Sequence, residues 1–238
     1  TGDGYMFAKK AGHTIVKPVP SLVGMNLKGE DFKSCQGLSL KNVSLTVLKG
    51  DKKLFSDFGE MLFTHFGISG PIVLSASCVL CREQLDNVKV VIDLKPALSE
   101  EKLDERLLRE FAENNNKNFI NVLSSLVPKS LNDLIILRTG ISANRKINGI
   151  TAKERAKITT TLKGLTFSVA SLRPFEEAII TSGGVSVKEV NPKTMESKIV
   201  KGLFFAGEVL DVDAFTGGFN LQIAFSTGFS AGEGANRN

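Results

Sequence analysis

The stretch from Gly202 to Gly232, GLFFAGEVLDVDAFTGGFNLQIAFSTGFSAG, concentrates the residue types that could hold a ligand. Leu203-Phe204-Phe205-Ala206 is a short apolar run that stops at Gly207, the pattern of a buried strand. Acids follow at Glu208, Asp211 and Asp213. Thr216-Gly217-Gly218 then opens Phe219–Gly232, a segment without charge whose Ala224, Ser226, Gly228 and Ser230 suit a helix packed closely on a neighbour. No Lys or Arg occurs from Gly202 to Asn236, although the chain carries a net charge of +5. The order is strand, glycine turn, buried helix. Unpaired N–H groups and the helix dipole attract negative charge at such a start. Gly217 and Gly218 remove the side chains that would keep a ligand off that backbone. A core helix with a glycine start and no ligand accounts for the same residues equally well.

Other reactive side chains are sparse. Cys78 and Cys81 form a CxxC, but tetrahedral zinc needs two more ligands at suitable spacing, and Cys35 and two scattered histidines do not supply them. The pair falls late in an apolar helix, away from the helix start that would stabilise a thiolate, so buried thiols are the plainer reading. His65, in Phe63-Thr64-His65-Phe66, has the chemistry of a proton donor, but a strand histidine between aromatics reads first as a packed core residue. His13 reads as a C-terminal helix cap. Arg138–Lys163 holds seven basic residues against one acid, Glu154, and could bind a phosphate or RNA. It contains no Phe, Tyr or Trp to stack on bases, which argues for a solvated face. No histidine stands near Glu208, Asp211 and Asp213, so no metal site is expected.

The C-terminal stretch resembles the flavin motif of the bacterial BaiN/YhiN-type flavoproteins. Three further stretches fit the same family in the same order: TGDGYMFAKKAGH at the start, GEMLFTHFGISGP at Gly59–Pro71, and TSGGVSVKEVNPKTMESK at Thr181–Lys198. The resemblance implies an FAD-dependent, NAD(P)-linked oxidoreductase. It implies that Gly207 and Glu208 pack beside the cofactor, and that the stretch from Asp213 through Asn220, with Gly217, Gly218 and Phe219 in it, and Leu221 line its ring and ribityl chain. Thr181, Gly183, Gly184, Val185 and Met195 would form a second wall, with His65 as a weak proton-donor candidate. The family begins with a strand–GxGxxG–helix unit for the FAD pyrophosphate. Gly2-Asp3-Gly4 has Phe7 where the third glycine would stand, so the chain reads as the C-terminal portion of a longer protein that need not retain FAD by itself.

Hydrophobic content of 42% with 23% charged residues is that of a soluble globular protein. Three cysteines in 238 residues argue against a disulfide scaffold and for the cytoplasm. The uncharged runs Met61–Cys81 and Ala214–Gly232 are broken by Gly, Pro and polar residues, so both read as buried elements and not as membrane spans.

The elements that must position these residues follow from periodicity. Thr1–His13 reads as a glycine loop and short helix. Thr14–Val23 is extended, with Pro18 and Pro20 confining it to an edge or a bulge. Val43–Val47 alternates as a half-buried strand; Lys53–Ser56 returns after Gly50-Asp51, and Glu60–Phe66 is a further strand. Pro71 opens a helix running to about Cys81, and Val88–Leu94 is a strand by its β-branched content. Ser99 caps a helix with its stripe at Leu103, Leu107, Leu108 and Phe111. Phe119–Leu126 and Ser130–Leu137 are short helices, and Thr151-x-x-Glu154 opens another to about Leu162. Strands follow at Leu165–Leu172, at Glu177–Thr181 (ending at Ser182-Gly183-Gly184) and at Val185–Val190.

The fold class is therefore mixed α+β and α/β. By the resemblance, a β-rich, barrel-like insert (14–98 and 164–175) and a helical subdomain (99–163) interrupt part of a Rossmann-like FAD-binding domain (1–13 and 176–238). The expected function is flavin reduction by NAD(P)H with hydride passed to a small organic substrate. The alternatives are a non-catalytic binding module and, behind it, an RNA-binding one.

Overall fold

Alternating apolar residues curl the middle of the chain into a closed barrel. The computed structural model describes residues 2–236, which divide into two compact units. The first comprises residues 25–73 and 85–171. Its strands are β2 (Met25–Leu27), β3 (Ser39–Lys49), β4 (Lys52–Phe63), β5 (Gly67–Ser69), β6 (Val88–Asp93) and β7 (Leu165–Leu172). They close in the order β2-β5-β4-β3-β6-β7. Val43, Leu45 and Val47 of β3, Val88, Val90 and Ile92 of β6, and Leu165, Phe167 and Val169 of β7 are buried at alternate positions. Such a two-residue period turns one face of each strand into the barrel. Phe63 meets Phe167 edge-on at 6.0 Å in this interior. Gly67 sits where the barrel closes tightly: a Cβ there would lie 2.3 Å from the Met25 carbonyl oxygen.

The same unit carries four helices: α3 (Glu100–Glu113), α4 (Phe119–Leu126), α5 (Asn132–Thr139) and α6 (Ala152–Lys163). Ser99 caps α3 by accepting from the Lys102 N–H. Thr151 and Glu154 form a full capping box at the start of α6. Leu103, Leu107 and Phe111 face inward, whereas Leu108, expected in that stripe, is 47% exposed because it falls one residue off it. Basic residues act here as internal staples. Arg155 grips Asp104 through Nε and Nη2 at 2.7 and 3.2 Å, joining α6 to α3. Lys163 reaches Asp93 at 2.6 Å and the carbonyls of Lys95 and Leu98, tying the end of α6 to the end of β6. Arg138 pairs with Asp31 and lies over the Phe167 ring.

The second unit comprises residues 2–24, 74–84 and 172–236. It holds α1 (Asp3–Lys10), the end of α2 (Pro71–Cys78), and the antiparallel pair β1 (Ile15–Ser21) and β8 (Ile180–Val185), with α7 (Phe219–Asn236) closing the chain. The β1–β8 register shifts between Val16 and Val19, a bulge at the proline segment as the sequence implied. A two-stranded sheet is marginal alone, and a small core of Ala8, Val185, Val190, Met195, Phe205 and Leu210 supports it. His13 closes α1 through its backbone N–H, which donates to the Ala8 carbonyl at 3.0 Å, while its side chain is buried beside this core. Its Nε2 lies 2.8 Å from Ser197 Oγ and its Nδ1 3.4 Å from Glu189, and its ring meets Phe205 edge-on.

Several local expectations give way to tertiary context. Lys53–Ser56 and Glu60–Phe66 are one 12-residue strand that ends at Phe63. Ser182, Gly183 and Gly184 lie inside β8, because pairing with β1 carries the strand through them. Val185–Val190 turns into 3-10 helix after Ser186. Leu203–Ala206 makes only an isolated bridge, Glu196 to Phe204. The helix after Gly218 forms, but of its described residues only Gly234 is buried, so the expected buried helix is an exposed one. The units part near residues 24, 73, 84 and 171, where the sequence suggested 13, 98, 163 and 175. That domain scheme also takes in residues 1, 237 and 238, which lie outside the described residues.

Thr151→Ala removes the hydroxyl that accepts from the Glu154 N–H and should lower unfolding stability by about 1 kcal/mol in a denaturant titration. Gly67→Ala forces backbone overlap in the barrel wall and should cost about 3 kcal/mol or more in the same titration.

Candidate functional site

Two glycines in β8 set the site. A Cβ on Gly183 would lie 2.7 Å from the Lys17 carbonyl oxygen, and one on Gly184 would lie 2.4 Å from that of Val209. Both have positive φ, so bare backbone is required twice over. The close approach brings the turn at Gly207–Val209 onto β8. There Glu208 Oε1 accepts from the Thr181 N–H at 2.8 Å. Asp211 N–H donates to the Val185 carbonyl, continuing the contact.

Thr181 and Glu208 form one wall of a cavity of about 440 Å³. That is within the range of small-molecule clefts. The other walls are apolar: Leu22, Ile180, Val212, Phe215, Leu221 and Ala224. Leu22 adopts a left-handed conformation with φ 53°, a strained backbone at the cavity wall. Gly217 and Gly218 line the rim, both with positive φ. A Cβ on Gly218 would meet nothing within 4 Å, so no protein packing requires this residue to be glycine. Gly218 accepts the first helical bond of α7, from Gln222. The N–H groups of the three residues between them have no acceptor within the helix.

Asn220 holds this rim in place. Its amide accepts from Ala214 N–H and donates to Ala214 O, at 2.9 and 2.8 Å. Thr216 is pinned by Ser75, hydroxyl to hydroxyl at 2.9 Å. Asp213 accepts from Ser21 Oγ at 3.1 Å, and Ser21 also contacts Cys78 Sγ at 3.2 Å. Burial pushes the Cys78 and Cys81 thiols up, and the Asp213 carboxylate raises both further, against hydrogen bonds from Ser21 and Ser182 that lower them. Both thiols are free, and no three His, Cys, Asp or Glu side chains among the described residues could hold a metal.

Residues 19–180 match the family described as HI0933-like protein barrel and H2TH domain. The chain belongs to the HI0933-like family. Its relatives extend the match beyond the barrel to the cavity-bearing C-terminal stretch. The chain is 29% identical over 236 residues to the 3-dehydro-bile acid delta(4,6)-reductase of Clostridium scindens, covering 98% of this chain and 58% of that protein. It is 32% identical over 232 residues to the ribosomal RNA dihydrouridine synthase of Haemophilus influenzae, covering 97% and 55% respectively. The protein of the same name from Escherichia coli is 25% identical over a similar span. The chain thus spans little more than half the length of these relatives. The HI0933-like and BaiN-like proteins are flavoprotein oxidoreductases with FAD, so the motif resemblance and the mixed barrel fold are the family's own.

The cavity fits part of that cofactor. Its apolar walls suit a flat ring system, and the space over Gly218 with the N–H groups beyond it suits an electron-rich ring edge. Of the residues expected at the flavin, Thr181, Gly207, Glu208, Gly217, Gly218, Asn220 and Leu221 come together on this cavity. Gly183, Gly184 and Val185 are buried behind it. Asp213 is occupied with Ser21, and Phe219 is 58% exposed. Met195 lines a separate small cavity of about 150 Å³ with Val190, Pro192 and Leu210. His65 belongs to the barrel unit. It is an exposed turn residue between β4 and β5, edge-on to Phe66, and not the packed strand histidine expected. Phe215 and Thr216, within the Asp213–Asn220 stretch expected on the cofactor, also line it, whereas sequence reading missed Leu22, Ile180 and Ala224. They are ordinary apolar or small residues whose only signal is their place in the folded cavity.

The thiol environment has a measurable consequence. Alkylation of Cys78 and Cys81 by iodoacetamide should be slower at neutral pH than that of an unfolded control. It should climb to its plateau only above the ordinary thiol range, because the folded state favours the protonated form.

Proposed function

We propose that this chain carries the ring-binding site of an FAD-dependent reductase that uses NAD(P)H and saturates an activated carbon–carbon double bond. The observation that carries this reading is the apolar cavity whose rim is Gly217-Gly218 and the start of α7. Leu22, Ile180, Phe215 and Ala224 would hold the faces of the flavin ring, and the N–H groups after Gly218 would face its pyrimidine edge. A helix N-terminus there favours the negative charge that reduction places on that edge. Bound FAD would supply hydride transfer from the nicotinamide to the acceptor. Glu208, held by the Thr181 N–H, fixes the wall and takes no proton in this scheme.

The acceptor class rests on the relatives' names. Taken as chemistry, a delta(4,6)-reductase and a dihydrouridine synthase both describe adding two hydrogens to a ring double bond. We carry that class to this chain, together with the assignment of the second unit to a Rossmann-like FAD-binding domain and a cytoplasmic setting. No helix among the described residues is long and apolar enough to cross a membrane. RNA binding through Arg138–Lys163 gains little from the structure. Arg138, Arg145, Arg155 and Lys163 are in ion pairs, and Lys146 donates to the Asn116 carbonyl. A non-catalytic module would leave the strained, glycine-rimmed cavity without a role.

The test is the visible spectrum of the chain titrated with FAD, alone and joined to a strand–GxGxxG–helix unit. A bound-flavin spectrum that NAD(P)H bleaches supports the reading. Folded protein that leaves FAD free in both forms overturns it. Gly218→Ala should lose only about 1 kcal/mol of stability from its left-handed backbone, yet weaken FAD binding about tenfold or more by filling the space above the rim.

A further inference from the structure

Cys78 ends α2, and Cys81 follows three residues on, in the turn that leaves the helix. Cα atoms so spaced in a turn lie less than about 7 Å apart, which is the span a disulfide bridges. The side chains narrow that gap. Cys81 Sγ donates to the carbonyl oxygen of Cys78 itself at 3.1 Å, so its sulfur already rests on the other cysteine. Cys78 Sγ points back along the helix, 3.9 Å from the Leu74 carbonyl oxygen, and a rotation about its Cα–Cβ bond turns it towards Cys81. Both thiols are free. Their surroundings treat them as a pair. Ser21 and Ser182 share one face of the β1–β8 ribbon, since Ser21 lies opposite Ile180 and Ser182 opposite Val19. Ser21 Oγ meets Cys78 Sγ at 3.2 Å, and the Ser182 side chain hydrogen-bonds Cys81. The Asp213 carboxylate, which Ser21 also holds, acts on both sulfurs. Arg82 bonds the Lys17 carbonyl at 3.1 Å and anchors the turn just beyond Cys81.

We propose that Cys78 and Cys81 are a modification site, joined by hydrogen peroxide in a reversible disulfide whose closure loosens the Leu22 side of the apolar cavity. The link to the cavity rests on the flavin reading above; the disulfide does not. One thiol gives up its proton and its sulfur attacks peroxide. The O–O bond breaks, an S–O bond forms, and the departing oxygen leaves as water. The second sulfur then attacks the first, the S–O bond breaks, and the hydroxyl takes the second thiol proton to leave as another water. The two sulfurs are oxidised by two electrons and the peroxide is reduced to two waters. Burial and Asp213 hold both groups as thiols at neutral pH, so the first attack is slow. The same influences make each sulfur a poor leaving group, so the bond, once formed, resists exchange. The Leu22 N–H also hydrogen-bonds Cys78 Sγ, and Leu22 is the left-handed residue of the cavity wall. Turning Cys78 Sγ towards Cys81 takes it from Ser21 and from Leu22.

The test follows intact mass and thiol count as hydrogen peroxide is added to the chain, alone and joined to a strand–GxGxxG–helix unit with FAD. The product should be lighter by two hydrogens, keep the Cys35 thiol, and regain the other two with dithiothreitol. Peptide mapping should place the bond between Cys78 and Cys81. Dimedone, which traps sulfenic acid, should label Cys78→Ser and Cys81→Ser but not the unmodified chain, where the second thiol closes the bond first. The oxidised chain should bind FAD about two- to tenfold more weakly, the effect of one lost hydrogen bond, and recover with dithiothreitol. Persistence of all three thiols, or oxygen added to one sulfur with no bond between the two, overturns the disulfide. A disulfide with unchanged FAD affinity overturns the link to the cavity. Failure of the folded chain to bind FAD overturns that link together with the reductase reading, and the mass result then decides the disulfide by itself.

Discussion

Everything at the candidate site depends on how closely three pieces of backbone approach one another at β8. Gly183 lies against the Lys17 carbonyl of β1 and Gly184 against the Val209 carbonyl of the following turn. Any side chain at either glycine would push the layers apart. The approach fixes Glu208 where its carboxylate meets the Thr181 N–H. Both residues line the apolar cavity. One steric constraint therefore sets the wall of the candidate site.

The rim of the cavity is held differently. Asn220, Ser75 and Ser21 spend their polar atoms on the 213–216 segment. These are bonds of the scaffold and not of a ligand. Among the described residues they leave Gly217-Gly218 and the first N–H groups of α7 without side-chain partners, which is the arrangement a helix start needs in order to face an electron-rich ring. Rigid support with an open rim is consistent with a site that binds a flat group and tunes it.

The barrel unit uses its excess of basic residues for construction. Arg155 with Asp104, Lys163 with Asp93 and the carbonyls of Lys95 and Leu98, and Arg138 with Asp31 join elements far apart in the chain. A sequence window shows such residues as a positive run, because their acids come from elsewhere. Charge density along the chain is thus a poor guide to the charge a surface presents.

Local rules carried far in this molecule. Ser99 and the Thr151–Glu154 pair mark helix starts because a cap and its N–H partner lie three residues apart. The barrel strands are visible because alternation is a two-residue property. The C-terminal motif pointed to the family, because a run of glycines and acids at fixed spacing is legible in one short stretch. What the chain could not reveal by itself is which elements meet. Leu203–Ala206 looks like a strand but finds only one bridge, and the apolar α7 is exposed in this chain. Leu22, Ile180 and Ala224 carry no individual signal. Tyr5 and Glu208 are neighbours across some two hundred residues. Local pattern depends on bonds between near neighbours. A cavity depends on where long loops close, and that is decided only when the β8 glycines let the layers come together.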